Sequence, residues 1–184
     1  MKSSPAVCVF CGSSPAVDPA YFELARELGR ALAARGATVV YGGASVGMMG
    51  ALADAALEAG GRVEGVLPRR LTERELAHRG LTELVLVERM DERKAEMLRR
   101  SDAFVALPGG FGTLDELFEV ATLVQVGEFH KPVAVLDPHD YWSGLFAWID
   151  RACAEGFVPE PVRGLIARRG SVAELLAWLD EVVP

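Results

Sequence analysis

The sequence predicts an α/β fold: a doubly wound, Rossmann-like parallel sheet with helices on both faces. Short apolar runs alternate along the whole chain with segments whose apolar residues recur at helical spacing. Continuous apolar strands are typical of a parallel sheet, because its crossover helices bury both faces. Glycine and serine clusters follow several of these runs. Since ligands of such sheets bind beyond the carboxyl ends of the strands, the clusters predict one site at that edge.

In the first half of the chain, glycine or proline follows most of the predicted elements. The first helix stops at Gly36 and the second at Gly60-Gly61, as helices that end in a C-terminal glycine do. The predicted elements are a strand at Ala6–Phe10, a helix at Pro19–Arg35, a strand at Thr38–Tyr41, a helix at Val46–Ala59 and a strand at Val63–Leu67.

The second half begins with a charged segment, residues 69–80, which is predicted to be a loop with at most one helical turn. The apolar run before the glycines at 109–112 is the clearest strand, and the last strand has the weakest pattern. The predicted strands are Leu84–Val87, Asp102–Leu107, Val133–Leu136 and Leu165–Arg168. The predicted helices are Met90–Ser101, Thr113–Val126, Tyr141–Glu155 and Val172–Val182.

Length, composition and charge restrict the class of protein. A chain of 184 residues with 51% hydrophobic residues can bury a full core, and no linker or repeat divides it, so residues 1–184 are predicted to form one domain. A net charge of −7 disfavours binding to nucleic acid or to anionic membranes. No apolar run approaches the roughly 20 residues of a membrane span or resembles a signal peptide. We therefore expect a cytoplasmic protein.

The segment Leu107–Glu116 is the most informative in the chain. Its glycines stand between a predicted strand and a predicted helix, where they let the backbone turn sharply and approach a ligand. The helix adds unpaired N–H groups and the positive end of its dipole, which favour phosphate. The alternative is an ordinary helix start with Thr113 as its cap. The predicted phosphate-binding residues are Gly109, Gly110, Phe111, Gly112 and Thr113.

Glu116 is predicted to lie in the first turn of the helix that follows these glycines. A carboxylate there weakens phosphate binding, so its presence points to work on another part of the ligand, such as a ribose. Glu119 is predicted to share its helix face, with Asp115 pointing elsewhere. The alternative for both glutamates is a solvated acidic face near a helix N-terminus.

Two further segments are predicted to reach the same edge. Met90–Lys94 opens the helix before the strand that precedes the glycine loop. The guanidinium of Arg93 has the geometry to bind a phosphate with two N–H groups. The alternative is that Arg93 is only a solvated charge. Small residues at Gly42–Gly50 leave room for a flat ligand beside a methionine, or reflect close helix–sheet packing. The predicted substrate-binding residues are Ser13, Gly43, Met48, Met90, Lys94 and Glu119.

Several motifs that would indicate a cofactor or metal are missing. The first strand lacks the G-x-G-x-x-G of dinucleotide binders, and there is no Walker A sequence, so a mononucleotide or a sugar phosphate is the better expectation. Cys8 and Cys11 form a C-x-x-C without a second pair, and the histidines are scattered. We interpret the cysteines as strand residues and expect neither a metal nor a cofactor.

Taken together, these segments resemble the Lonely Guy (LOG) family of cytokinin-activating nucleotide phosphoribohydrolases, whose members are often labelled possible lysine decarboxylases. The family's P-G-G-x-G-T-x-x-E stands at Pro108–Glu116, and a segment like its M-x-x-R-K stands at Met90–Lys94. The opening V-F-C-G-S-S is at Val9–Ser14, and the glycine-rich Y-G-G segment is at Tyr41–Gly50. The four motifs occur in the expected order over nearly the whole chain.

The resemblance implies hydrolysis of the N-glycosidic bond of a nucleoside 5′-monophosphate, such as N6-prenylated AMP, to free base and ribose 5-phosphate without a cofactor. It implies that Arg93 and Glu116 are the catalytic pair and that the glycine loop binds the phosphate. It also implies a homodimer or a larger assembly of dimers. The apolar helix after the glycine loop agrees with a subunit contact. The alternative is that this helix is fully covered within its own chain, for example by the final helix.

Three other functions stay open at this point. The first is a general nucleosidase for unmodified purine or pyrimidine monophosphates, because a pocket for a prenyl group is merely apolar. The second is a protein that binds a nucleotide or a phosphorylated cofactor without catalysis, against which Glu116 argues. The third, a pyridoxal-phosphate lysine decarboxylase, needs a Schiff-base lysine at the site, for which Lys94 is the candidate.

Overall fold

A computed structural model describes residues 5–72 and 77–183. The described residues form seven strands and six helices in the predicted alternation. The strands are β1 (Ala6–Phe10), β2 (Thr38–Tyr41), β3 (Arg62–Pro68), β4 (Glu83–Val87), β5 (Ala103–Ala106), β6 (Val133–Leu136) and β7 (Ile166–Arg169). The helices are α1 (Pro19–Ala34), α2 (Gly47–Glu58), α3 (Met90–Arg100), α4 (Phe111–Gln125), α5 (Ser143–Ala154) and α6 (Val172–Val182).

All seven strands pair in parallel in one sheet with the order β4-β3-β2-β1-β5-β6-β7. The chain moves outward from β1 to β4, then returns to the other side of β1 with β5 and moves outward again. The strand order therefore reverses between β1 and β5, which is the point where doubly wound sheets bind their ligands. The predicted fold class is confirmed.

The helices cover the two faces of the sheet in groups of three. Alternate residues of β1 point to opposite faces, with Val7 and Val9 packed on one side and Cys8 and Phe10 on the other. Leucines of α1, α2 and α6 pack on the first face, and Met97 of α3 packs on the second with residues of α4 and α5. The final helix thus lies across the sheet from α4, so α6 is not the element that covers α4.

Most element bounds differ from the predicted ones by a residue or two, as helix ends commonly do. The consequential difference is at α4, which begins at Phe111 and not at Thr113, with Gly110 as its N-cap. In the segment predicted as a loop, Arg69–Leu71 forms a single 3₁₀ turn. Residues 73–76 of that segment lie outside the described residues. A second 3₁₀ turn, Glu160–Val162, precedes β7.

Candidate active site

A cavity of about 430 Å³ opens where β1 and β5 end. Its walls come from the loop after β1, the starts of α2 and α3, the glycine loop with the start of α4, and the loop before α5. The lining residues include Cys11, Gly12, Ser13, Ser14, Val17, Tyr21, Met48, Met49, Met90, Arg93, Pro108, Gly109, Gly110, Phe111, Gly112, Thr113, Glu116 and Tyr141. Both members of the predicted catalytic pair and the whole predicted phosphate loop border this space.

The glycine loop presents backbone N–H groups to the cavity edge. No side chain caps α4 at its Gly110 N-cap. Among the described residues, the amides of Gly110 to Thr113 have no acceptor, as expected for the first amides of a helix. Gly109 is required by close packing, because a Cβ there would lie 2.0 Å from Thr113 Oγ1. The loop therefore combines free donors with the positive end of a helix dipole.

The position of α4 corrects two expectations. Thr113 is a buried residue inside the first turn and not the helix cap. Glu116 consequently lies in the second turn, two residues further along the helix than predicted. Gly110 begins the helix without a polar side chain, so the sequence offered no capping residue to mark the start.

Arg93 is a buried residue of α3 whose guanidinium is held by two backbone carbonyls. Its Nε donates to Val66 O at 3.1 Å, and its Nη2 donates to Gly42 O at 3.2 Å. Its Nη1 lies 3.7 Å from Glu116 Oε1. A Cβ on Gly42 would lie 1.9 Å from Arg93 Nη2, so only glycine leaves room for this arrangement. The loop after β2 thus fixes the arginine side chain.

Glu116 is nearly buried, and this burial is the main influence on the pKa of its carboxyl. Removal from water raises its pKa from 4.5 to about 7, while the nearby positive charge of Arg93 opposes the rise. The carboxyl is therefore poised to exchange a proton near neutral pH. Groups with such perturbed pKa values in a cleft are candidates for acid–base chemistry.

Lys94 and Glu119, predicted to bind substrate, are not among the residues that line this cavity. Lys94 Nζ lies 2.8 Å from Glu119 Oε2 and 3.1 Å from Asp115 Oδ2. The expected grouping on α4 is therefore wrong: Asp115 and Glu119 share a lysine across one helical turn, and Glu116 faces Arg93. Side chains four apart lie on one helix face, which explains the pairing.

The other predicted substrate-binding residues divide between the cavity and its surroundings. Ser13, Met48 and Met90 line it, Met48 being fully buried and Met90 partly exposed at 37%. Gly43 is not in the lining. Its φ of +79° and the side chains of Leu67 and Leu84, 3.2 and 3.3 Å from a built Cβ, give it a structural role in the turn after β2.

Two tyrosines of the cavity wall were not singled out from the sequence. Tyr141 donates its hydroxyl to Gly109 O at 2.6 Å. Its ring packs edge-on against that of Tyr21, with centroids 6.0 Å apart. The available signal was its place just after β6, at the same edge of the sheet, although no motif marks it.

The cysteines are all free thiols, and Cys8 and Cys11 are buried in and just after β1. Burial raises the pKa of both thiols, which makes them poor nucleophiles. Within residues 5–72 and 77–183, no group of three or more histidine, cysteine or acidic side chains is arranged to hold a metal ion. Within the same ranges, no helix is long and apolar enough to span a membrane.

Comparison with known proteins decides the family. The family described as "Possible lysine decarboxylase" matches residues 49–179. A protein of Oryza sativa subsp. japonica named as a probable cytokinin riboside 5′-monophosphate phosphoribohydrolase, LOGL5, is 49% identical over 97% of this chain and 72% of its own length. The chain belongs to the LOG family. Another LOG protein, LOG1 of Arabidopsis thaliana, is named cytokinin riboside 5′-monophosphate phosphoribohydrolase and is 44% identical over 97% of this chain and 84% of its own length.

Solved structures share the fold of this LOG protein at lower identity. A molybdenum cofactor binding protein from Rippkaea orientalis superposes with a TM-score of 0.75 and 22% identity, and all of both chains is covered. The molybdenum cofactor carrier protein of Chlamydomonas reinhardtii superposes with a TM-score of 0.69 and 22% identity over 98% of each chain. These likenesses establish a common architecture.

Proposed function

We propose that this LOG protein hydrolyses the N-glycosidic bond of adenosine 5′-monophosphates, with N6-prenylated AMP as the preferred substrate. The products are the free base, a cytokinin, and ribose 5-phosphate. The observation that carries the proposal is the nearly buried Glu116 carboxyl beside Arg93. Glu116 lies on α4, the helix whose first backbone amides are free to bind an anion. The names of relatives such as LOG1 support the substrate class.

In the proposed complex, the 5′-phosphate binds the amides of Gly110 to Thr113 and the ribose lies over Glu116. Cleavage of the C1′–N bond builds positive charge on the ribose, which a carboxylate stabilises. Water adds to C1′, and its proton leaves for the departing base. With a pKa of about 7, Glu116 is suited to accept that proton from water and to pass it on.

We assign Arg93 chiefly to the support of Glu116. Two of its nitrogen atoms already donate to backbone carbonyls, and the third faces the carboxyl. A guanidinium held in this way has little freedom to fork around a phosphate. Its charge keeps the carboxyl of Glu116 partly ionised near neutral pH, which supports the role of that carboxylate in catalysis.

The main alternative is an enzyme with a broader range of nucleotide substrates. Met48, Met49 and Met90 give the cavity an apolar wall, which suits a prenyl group but also accepts an unmodified purine. A general nucleoside 5′-monophosphate nucleosidase is therefore the second candidate. A non-catalytic nucleotide or phosphorylated-cofactor binder is disfavoured, because binding alone gains nothing from burying Glu116.

We further propose a homodimer, or an assembly of dimers, in the cytoplasm. Phe118 of α4 packs edge-on against Trp148 of α5, and Trp148 is still 53% exposed. Phe157 and Val126, which follow α5 and α4, are also exposed, at 79% and 62%. Large exposed apolar side chains on this face support a contact between equal subunits.

The test is to incubate the purified protein with prenyl-AMP, AMP and the two matching nucleosides, and to measure free base by chromatography. We expect base from the nucleotides but not from the nucleosides, because phosphate binding must position the ribose. Chelation by EDTA should leave the rate unchanged. Comparable kcat/KM values for AMP and adenosine would refute the phosphate assignment. Tight nucleotide binding without any base release would favour the non-catalytic binder.

A further inference from the structure

The carbonyls of Pro108, Gly109 and Gly110, which lead into α4, all accept hydrogen bonds from within the chain. Pro108 O accepts from the Gly12 amide at 3.2 Å, and Gly110 O accepts from the Leu114 amide at 3.1 Å. Between them, Gly109 O accepts from the Tyr141 hydroxyl at 2.6 Å. Tyr141 is thus the one side chain in a set of otherwise backbone hydrogen bonds.

The loop's carbonyl groups are therefore already hydrogen-bonded within the protein, whereas its N–H groups are free. The amides of Gly110 to Thr113 find no acceptor among the described residues. A carbonyl that turned toward a bound anion would repel it, whereas an N–H group attracts it. No cis peptide bond is present among the described residues, so the Gly110 N–H points away from the side where Tyr141 holds Gly109 O.

Tyr141 is itself held in place by an ion cluster on the neighbouring strands. Buried Asp137, just after β6, accepts from Arg168 Nε of β7 at 2.9 Å and from the Trp142 amide at 3.3 Å. Arg168 also pairs with Asp140, whose φ of +56° is rare for a residue other than glycine. The hydroxyl therefore reaches Gly109 from a loop fixed on both sides of the tyrosine.

We propose that Tyr141 is a positioning residue of the phosphate site: by holding Gly109 O, it orients the Gly109–Gly110 peptide so that the loop offers only N–H groups to the 5′-phosphate. The inference rests on the proposed function in that it takes the loop to bind the phosphate of a nucleotide. The Tyr141 hydroxyl donates its hydrogen bond to Gly109 O. Tyr141 therefore acts through the Gly109–Gly110 peptide and does not donate to the phosphate itself.

The test compares Tyr141→Phe with wild type in calorimetric binding of AMP, adenosine and inorganic phosphate. The variant keeps the ring and loses the hydroxyl, so AMP and phosphate should bind about two- to ten-fold more weakly, as for the loss of one hydrogen bond, and adenosine should bind as before. In turnover, KM for AMP should rise with little change in kcat. Tyr41→Phe is the matched control, because it removes a tyrosine hydroxyl that donates to the backbone at Ala44 O, outside the loop.

The inference is overturned by equal AMP affinity in Tyr141→Phe and wild type, by equal weakening of AMP and adenosine, or by a wild type that does not prefer AMP to adenosine. An equal loss of phosphate affinity in Tyr41→Phe also overturns it, since the effect would then be a general one on the fold. Failure of the proposed function is distinguishable. It shows as the absence of base release from wild type, while the binding difference at Tyr141 persists.

Discussion

Arg93 Nη1 lies 3.7 Å from Glu116 Oε1 in a pair of side chains that are almost completely buried. The distance is too long for a strong hydrogen bond, and the pair is held together from outside, by the carbonyls of Gly42 and Val66 that fix the guanidinium. Burial raises the pKa of Glu116 more than the arginine lowers it. The pair is therefore assembled before any ligand arrives, with its carboxyl near its titration midpoint at neutral pH.

Glu116→Gln should abolish base release while nucleotide binding persists. The amide keeps the shape of the side chain but cannot carry charge or accept a proton, and the loss should be on the order of 10²- to 10³-fold in kcat. Single-turnover kinetics with prenyl-AMP measures it. Glu155→Gln, an exposed carboxylate at the C-terminal end of α5, is the control. Turnover within a few-fold of wild type would remove Glu116 from the mechanism.

The dependence of kcat/KM on pH should have an acid limb with a midpoint near 7, because the ionised form of Glu116 is the active one. Activity should rise with pH through that midpoint, since deprotonation creates the carboxylate. The rate should fall roughly tenfold per pH unit below it. A profile that instead declines above pH 7 would show that the protonated form is needed and that Glu116 works as an acid.

Arg93→Ala should lower kcat on the order of 10²-fold, and Arg93→Lys should not restore it. One ammonium cannot satisfy both carbonyls that the guanidinium now holds. In the alanine variant, the acid limb should also move to higher pH, because the charge that lowers the pKa of Glu116 is gone. An active lysine variant would mean that a point charge suffices.

Gly42→Ala should reproduce the Arg93 defect although both Arg93 and Glu116 are retained. The added Cβ would lie 1.9 Å from Arg93 Nη2 and must displace it, which predicts a rate loss on the order of 10²-fold. Gly144→Ala is the matched control, because a Cβ there meets nothing within 4 Å. Equal activity of the two variants would show that the guanidinium position is not critical.

Light scattering at low micromolar concentration should give a mass of about twice 19.8 kDa or a multiple of it. Trp148→Glu should shift the mass toward the monomer, because it places a charge in the apolar face shared with Phe118. Val182→Glu adds the same charge to a partly exposed position of α6, on the opposite layer, and should leave the mass unchanged. A wild-type mass near 19.8 kDa would contradict the dimer.

The sequence predicted the fold well because the local signals agree with one another. Apolar runs mark every strand except β7, and the motif at Pro108–Glu116 places the glycine loop at the end of β5. The start of α4 was predicted two residues late, since a glycine N-cap carries no polar signal. The partners of Lys94 were not predictable either. Asp115, Glu116 and Glu119 all lie close together on α4, and the sequence does not show which of them faces α3.

The contacts that the sequence did not predict join residues that are far apart along the chain. The bond from Tyr141 to Gly109 joins residues 32 apart, and it exists because β6 lies beside β5. The requirement for Gly42 likewise depends on an arginine 51 residues away. The motifs contain Gly42, Arg93 and Gly109, but they do not show which residues contact one another, and Tyr141 lies in no motif. Both contacts therefore became visible only with the strand order.

The sheet places the site and the tyrosine that supports it in regions of different local stability. β1 and β5 are central strands, flanked on both sides, so their amides should exchange with deuterium only on global unfolding. β7 is an edge strand, and it carries Arg168, which secures the loop of Tyr141. Fraying of β7 would release that loop while the catalytic pair stays intact. In mild denaturant, the protein should therefore lose affinity for phosphate before it loses its fold.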